Sequence, residues 1–221
     1  MRDIQHFLEH LRTARTGKDL FNHYASVDTR LDLANGARIR CANLLSYLRH
    51  FREQPPAVIV VGEAAGYRGN RFTGIPFTSE HTLLHHRFFS GGAYARSACR
   101  EQPWREASGS IVWETLSALP RPVMLWGIVP FHPHKPGNPL SNRTPTRAEQ
   151  EQGRALFEEF RTLFSEPRLI AAGRIASAML EKAGLKHTAV RHPSHGGKVD
   201  FQKGLRAAAA SGPGSRKALS L

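Results

Sequence analysis

Residues 57–62, Ala-Val-Ile-Val-Val-Gly, decide the fold. A short run of β-branched residues that follows a proline pair and ends at a glycine is typical of a strand buried on both faces of a sheet. Three later apolar runs have a similar length, and they lie at residues 123–126, 168–172 and 187–190. Segments with helical spacing separate the four runs. This alternation predicts an α/β fold, a single domain with a central four-stranded parallel sheet flanked by helices.

The rest of the chain adds helices and a tail to this sheet. Apolar residues recur at helical spacing before the first strand, so residues 1–54 are predicted to be helical. Thr146 and Glu149 have the spacing of a capping box and predict the start of a later helix. We expect the domain to span residues 1–210 and to be followed by a basic, disordered tail at 211–221.

The charge of the chain points to a polyanionic partner. The 221 residues are 40% hydrophobic and 22% charged, which excludes disordered and fibrous proteins. Lys and Arg outnumber Asp and Glu by 31 to 18, which gives a formal net charge of +13. Such an excess favours nucleic acid as the partner. A membrane surface is less favoured, because no basic amphipathic helix stands out.

Cysteine content and the N-terminus bear on the compartment. The two cysteines, Cys41 and Cys99, exclude a disulfide framework, a four-cysteine zinc site and a four-cysteine iron–sulfur cluster. Residues 1–12 carry charges throughout and lack the apolar core of a secretory signal. The apolar runs are too short to cross a membrane. We therefore expect a cytoplasmic protein that does not bind membranes.

Three unusual loops follow predicted strands, and they begin at Gly62, Gly127 and Arg191. In parallel sheets ligands bind outside the carboxyl ends of the strands, so the loops should line one cleft. The first loop is rich in glycine but matches neither the dinucleotide fingerprint nor the P-loop pattern. Within it, Phe77 is either a small hydrophobic anchor or a stacking surface for a planar ligand. In the third loop, His192 directly follows a strand end and is either structural or functional.

Histidines at metal-like spacing do not form a convincing metal site. His81 and His85 lie four residues apart, and His132 and His134 lie two apart. Neither pair is accompanied by a carboxylate or cysteine pattern of a known metal motif. We expect no metal and no cofactor.

Taken together, the loops resemble the motifs of the uracil-DNA glycosylase superfamily. The stretch 62–66, Gly-Glu-Ala-Ala-Gly, and the stretch 74–77, Gly-Ile-Pro-Phe, resemble the first motif of its iron–sulfur-type members. Residues 142–146 resemble the Asn-Arg-x-Pro-Thr stretch after the second motif, and residues 192–194 match the His-Pro-Ser motif. The resemblance implies the same four-stranded parallel sheet. It also implies a monofunctional glycosylase that flips uracil out of DNA and hydrolyses its N-glycosidic bond, leaving an abasic site.

The resemblance also implies roles for residues at the matching positions. The expected catalytic residues are His192, which would stabilise the leaving uracil anion, and Glu63, the only carboxylate in the first loop. The residues expected to bind the base are Gly62, Ala64, Gly66, Tyr67, Phe77, Trp126 and Gly127. Those expected to contact DNA or to act as a wedge are Arg68, Asn142, Arg143, Ser194, His195, Gly196 and Lys198. The expected partner is uracil-containing DNA, single- or double-stranded, bound by a monomer.

The chain departs from the family pattern at three points. It lacks the four cysteines of the iron–sulfur branch, so it belongs to a cluster-free branch. Ala64 stands where some branches have an Asp or Asn that activates or holds water. Gly127 stands near the position where other branches have an Asn that reads the uracil edge.

These departures keep three alternatives open. One is a glycosylase for another deaminated base, hypoxanthine or xanthine, because Gly127 removes the edge readout and widens the pocket. Another is a non-catalytic member that binds DNA or a lesion, because Ala64 and Gly127 replace functional side chains. A phosphate-binding α/β hydrolase is the least favoured, because the chain has no G-x-S-x-G nucleophile elbow.

Overall fold

A computed structural model describes residues 3–194 and 196–210, and in it four parallel strands form the central sheet. In chain order the strands are β1 (Leu20–Phe21), β2 (Val58–Ala64), β3 (Val123–Val129), β4 (His132–Pro133), β5 (Arg168–Ala172) and β6 (His187–Val190). The central sheet has the order β3-β2-β5-β6, and all its neighbours are parallel. The predicted fold class is confirmed. The predicted tail at 211–221 lies outside the described residues.

Helices flank the sheet. They are α1 (Ile4–Thr13), α2 (Gly36–Glu53), α3 (Asn70–Thr73), α4 (Glu80–His85), α5 (Ala107–Leu116), α6 (Arg147–Arg161), α7 (Arg174–Lys182) and α8 (Lys198–Ala210), with a 3-10 turn at Arg87–Phe89. The predicted capping box is confirmed at the start of α6, where the Thr146 hydroxyl accepts from the Glu149 N–H and the Glu149 carboxylate accepts from the Thr146 N–H. Within the described ranges, no helix is both long and apolar enough to span a bilayer.

Two predictions about local structure need correction. The N-terminal part is not helical throughout, because β1 lies between α1 and α2 and pairs antiparallel with β4. The second predicted strand is longer than expected and continues to Val129. Gly127 therefore lies within β3, opposite Gly62 of β2, and not in a loop. Periodicity missed β1 because a two-residue strand depends on its distant partner, and it ended β3 early because Gly127 is typical of a turn.

The strand order creates a crevice at the carboxyl end of the sheet. From β2 the chain crosses to β3, its neighbour at one edge of the sheet. It then crosses back to β5, on the other side of β2, and continues outward to β6. Loops that leave adjacent strands in opposite directions open a crevice between them, where α/β proteins bind ligands. The loop after β2 contains α3, so the position of α3 fixes one wall of this crevice.

A buried charge cluster holds α3 in place. Asp32 accepts hydrogen bonds from Arg71 of α3 at 2.5 and 3.1 Å, and it lies 3.1 Å from Arg40 of α2. All three side chains are at most 1% exposed. Arg40 also donates to the carbonyl oxygens of His23 and Ser26 and to the Ser97 hydroxyl. One carboxylate thus joins the N-terminal segment, α2 and the loop after β2.

We expect Asp32→Asn to lower the free energy of unfolding by about 3–5 kcal/mol, because removing one partner of a buried ion pair leaves the other charge uncompensated. Urea unfolding at neutral pH measures the change. The matched control is Glu151→Gln, since this carboxylate pairs with Lys182 and Arg154 at the surface. That control should unfold like the wild type. Equal stability of Asp32→Asn and the wild type would contradict the role of the cluster.

Candidate active site

The crevice at the carboxyl end of the sheet contains a cleft of about 380 Å³, which we call the main cleft. That volume falls in the range of small-molecule sites. Its walls come from β2 and the loop after it, from β3 and the loop after it, from the start of α5 and from the loop after β6. The lining residues are Gly62, Glu63, Ala64, Ala65, Gly66, Asn70, Pro76, Phe77, Glu106, Ser108, Gly127, Pro133, Asn142, Arg143, Thr144, His192 and Ser194.

A second cavity of about 370 Å³, the side cleft, adjoins the main cleft. Four residues line both cavities: Glu106, Ser108, Asn142 and Ser194. The side cleft is completed by Tyr67, Arg68, Ala107, Ile111, Pro193, Gly196 and Lys198. Most residues predicted to bind the base therefore line the main cleft, and several predicted to contact DNA line the side cleft.

Phe77 forms one wall of the main cleft at the cost of backbone strain. Its φ of 54° is in the left-handed region, which bulky residues rarely adopt. The ring lies directly against the backbone of Gly62, where a Cβ would overlap two ring atoms. A side chain at position 62 would thus displace the ring. Strained residues of this kind cluster at functional sites.

His192 faces the same cleft, with its ring centroid 6.4 Å from that of Phe77. The backbone N–H of Ser194 donates to His192 Nδ1 at 3.2 Å, and Ser194 Oγ lies 2.5 Å from the same atom. Because a backbone N–H can only donate, Nδ1 is an acceptor and the ring proton lies on Nε2. The HPS sequence thus sets the tautomer and makes Nε2–H the ring donor.

Two carboxyl groups line the main cleft, Glu63 and Glu106. Burial raises the pKa of Glu63, and a hydrogen bond with the side chain of Thr144 partly offsets that rise. Burial raises the pKa of Glu106 to about 7. Glu106 and Ser108 were not among the predicted site residues, because they match no motif and lie where α5 begins. The one local feature at position 106 is a glutamate directly before a helix, which by itself does not indicate a site.

Polar contacts connect the loops that form the clefts. Asn142 accepts a hydrogen bond from the backbone N–H of Tyr67 at 3.0 Å and so joins the loops after β3 and β2. Arg143 donates to both carboxylate oxygens of Glu149 at 2.7 Å and to the carbonyl oxygen of Asp19 at 2.8 Å. Arg143 was predicted to contact DNA. Its guanidinium clamps the loop to α6 through the carboxylate of the capping box, and it also lines the main cleft, so its contact with DNA stays a prediction.

Trp126 does not lie at the cleft, which corrects its prediction as a base-binding residue. Its side chain is fully buried, and its ring stacks on Phe160 of α6 with centroids 3.9 Å apart. Adjacent residues of a strand point to opposite faces, so Gly127 faces the cleft whereas Trp126 packs under α6.

The residues predicted to contact DNA include two cations at the side cleft. Arg68 is exposed and donates from Nε to the Tyr67 hydroxyl at 2.7 Å. Lys198 is also exposed, and its ammonium lies 2.8 Å from a carboxylate oxygen of Glu114. His195 lies outside the described residues.

Within the described residues, neither histidine pair singled out in the sequence belongs to a group of three or more ligand-type side chains with metal-like geometry. The buried ring of His132 lies 2.9 and 3.1 Å from the carbonyl oxygens of Ala65 and Pro139. In the described residues, the group with metal-like geometry is His6, His10 and Glu159, whose ligand atoms lie within 4.8 Å of one another. These three residues join α1 to α6 and line neither cleft.

Comparison with known proteins agrees with this architecture. The sequence model of the uracil DNA glycosylase superfamily matches residues 49–209. The chain is also similar to the crystal structure of wild-type SMUG2 from Pedobacter heparinus, with a TM-score of 0.62 and 14% identity over 91% of this chain and 94% of that chain. No curated protein matches the chain significantly. The matched range contains the central sheet and the loops of both clefts.

We expect Gly62→Ala to lower the free energy of unfolding by about 1–3 kcal/mol, the usual cost of overpacking, because the new methyl group overlaps Phe77. Gly127→Ala is the matched control on the neighbouring strand. The nearest atom to a Cβ at position 127 is 3.6 Å away, so this variant should unfold like the wild type. Urea unfolding of both proteins measures the difference, and equal losses would refute the close approach of Phe77 to Gly62.

Proposed function

The chain belongs to the uracil DNA glycosylase superfamily and is a DNA glycosylase, and we propose that it excises uracil from DNA. The observation that carries the proposal is the pairing of Phe77 with His192 in one cleft, a stacking surface beside a histidine whose tautomer makes Nε2–H a donor. The net charge of +13 supports binding to the phosphate backbone.

Base recognition begins with extrusion of the target nucleotide. Flipping a base out of the duplex costs a few kcal/mol, and less for a mismatched or single-stranded base. Stacking on an aromatic side chain returns about 1–3 kcal/mol per base. Phe77 supplies this surface in the main cleft. The side cleft, with Arg68 and Lys198 at its edge, suits the neighbouring phosphates.

His192 acts on the leaving group. When the C1′–N1 bond breaks, its electron pair leaves with uracil, and the negative charge spreads over the carbonyl oxygens. A preorganised donor stabilises such an anion more in the transition state than in the ground state. The Nε2–H of His192 supplies this donor, and Ser194 fixes the ring from the other side.

The second candidate substrate is another deaminated base, hypoxanthine or xanthine. Gly127 favours this candidate, because it lines the main cleft without a side chain and so leaves the volume of an amide side chain to a larger ring system. A pocket without an edge-reading amide also discriminates weakly between bases.

Labelled oligonucleotides that carry uracil, hypoxanthine or xanthine, single-stranded or in a duplex, test the proposal. After incubation with the protein, alkali cleaves at abasic sites. Strand scission with uracil supports the proposal, and scission with the purines alone supports the second candidate. Tight binding without scission of any substrate would refute catalysis and favour a lesion-binding role.

We expect His192→Ala to slow single-turnover excision of uracil by about 10²–10³-fold, the usual cost of losing one oxyanion-type donor. Affinity for DNA should change little, because the donor acts on the leaving group. His6→Ala, on α1 and away from both clefts, is the control and should keep the wild-type rate. An unchanged excision rate for His192→Ala would show that this histidine has only a structural role.

We expect Gly127→Asn to raise uracil excision relative to hypoxanthine excision by about 10–100-fold, since a matched hydrogen-bonding edge contributes roughly 1–3 kcal/mol. The cleft has space for the new Cβ, so the backbone need not move. Single-turnover rates on both substrates, for the variant and the wild type, measure the change. A uniform loss on both would show that position 127 does not determine specificity.

A further inference from the structure

Glu106 occupies an unusual position between the two clefts. It directly precedes α5, and its side chain lines both the main and the side cleft. Its carboxylate oxygens lie 2.7 Å from where a Cβ of Gly66 would be, 2.5 Å from that of Gly69 and 2.9 Å from that of Gly109. Any side chain at these three positions would collide with the carboxylate. The glycines of the loop after β2 therefore leave a space that the Glu106 carboxylate fills.

This carboxylate has no protein partner within residues 3–194 and 196–210: no hydrogen bond and no ion pair involves it. The buried carboxylate of Glu80, by contrast, is satisfied. Glu80 accepts from the N–H groups of Ser97, Ala98 and Trp104. Glu106 is half-buried and its carboxylate faces the two clefts, so it is available to bind a water molecule or a ligand there. The raised pKa of Glu106, which follows from burial alone, agrees with a functional role near neutral pH.

The other residues of the main cleft are less suited to take a proton from water. Ala64 presents a methyl group, and the carboxyl group of Glu63 is engaged by Thr144. Asn142 uses its side-chain oxygen to bind the backbone of Tyr67. Asn142 Nδ2 nevertheless lies 3.9 Å from the Gly66 Cβ position that Glu106 Oε1 also approaches, so an amide donor and a carboxylate share one corner of the cleft. A water molecule there would have a donor and an acceptor within reach.

We propose that Glu106 is the general base that activates the attacking water, a role that rests on the proposed function. The C1′–N1 bond breaks, and its electron pair leaves with the base that His192 stabilises. The water oxygen then forms a bond to C1′ of the sugar and gives its proton to Glu106. The carboxylic acid releases this proton to solvent, which restores the carboxylate for the next turnover.

Glu106→Gln keeps the shape of the side chain and removes its basicity. We expect single-turnover excision at pH 8 to fall by about 10²–10⁴-fold, the usual contribution of a general base. Excision by the wild type should rise about tenfold per pH unit below pH 7 and level off above it, because only the carboxylate accepts a proton. The variant should lose this dependence.

The stability of the Glu106→Gln variant shows whether a slower excision rate reflects a lost base or a damaged fold. Burial raises the pKa of Glu106, so its contribution to stability is present below the unfolded-state pKa and is lost as the pH rises through about 7. Glu106→Gln should therefore resist urea at pH 8 at least as well as the wild type. Glu101→Gln, an exposed glutamate of the preceding loop, is the matched control and should keep the wild-type rate.

Rescue and a competing variant complete the test. Formate added to Glu106→Ala should restore part of the lost rate, because it supplies a carboxylate in the vacated space, whereas a structural role would not respond to it. If Glu106→Gln keeps the wild-type rate and pH profile while Glu63→Gln loses them, the proposal is wrong and the glycosylase activity stands. A wild-type protein that excises none of the three bases would overturn both.

Discussion

The buried carboxylate of Asp32 is the contact on which the site depends. It binds Arg71 of α3 and Arg40 of α2 in a region that excludes water. Two arginines without this carboxylate would place uncompensated charge in the core, which would remove a large part of the stability of an ordinary domain. Since α3 lies in the loop that carries Phe77, the cluster also determines where the wall of the main cleft stands. A buried ion cluster that lines neither cleft thereby positions the aromatic surface.

Contacts between loops extend this rigidity across the carboxyl end of the sheet. Asn142 ties the loop after β3 to the loop after β2, and Arg143 ties it to α6. Ser194 orients His192 from within its own loop. Groups held in this way need no reorganisation when charge develops on a leaving base, which is the physical basis of electrostatic catalysis. Polar loop residues such as Asn142 and Arg143 therefore hold the loops in place, whatever else they contact.

Two unusual features lie at the clefts. Phe77 adopts a backbone conformation that its side chain disfavours, and Glu106 keeps a carboxylate without a partner in the described part of the chain. Elsewhere, the buried carboxylates of Asp32 and Glu80 are paired and hydrogen-bonded. A strained aromatic residue and an acid without a protein partner thus lie at the same site, a combination that is typical of functional regions.

The sequence by itself determined the four-stranded sheet and the loops that carry Phe77 and His192. Apolar runs and motifs are local patterns, so they can be recognised without knowing which residues are in contact in the fold. Only the tertiary structure decided which side chains reach the cleft. The direction of Trp126 follows from which face of β3 packs under α6, and the pairing of Arg143 follows from its approach to Glu149 and Asp19. Glu106 belongs to the site because folding brings it against Gly66 and Gly69, about forty residues earlier in the chain, a proximity that no local spacing encodes.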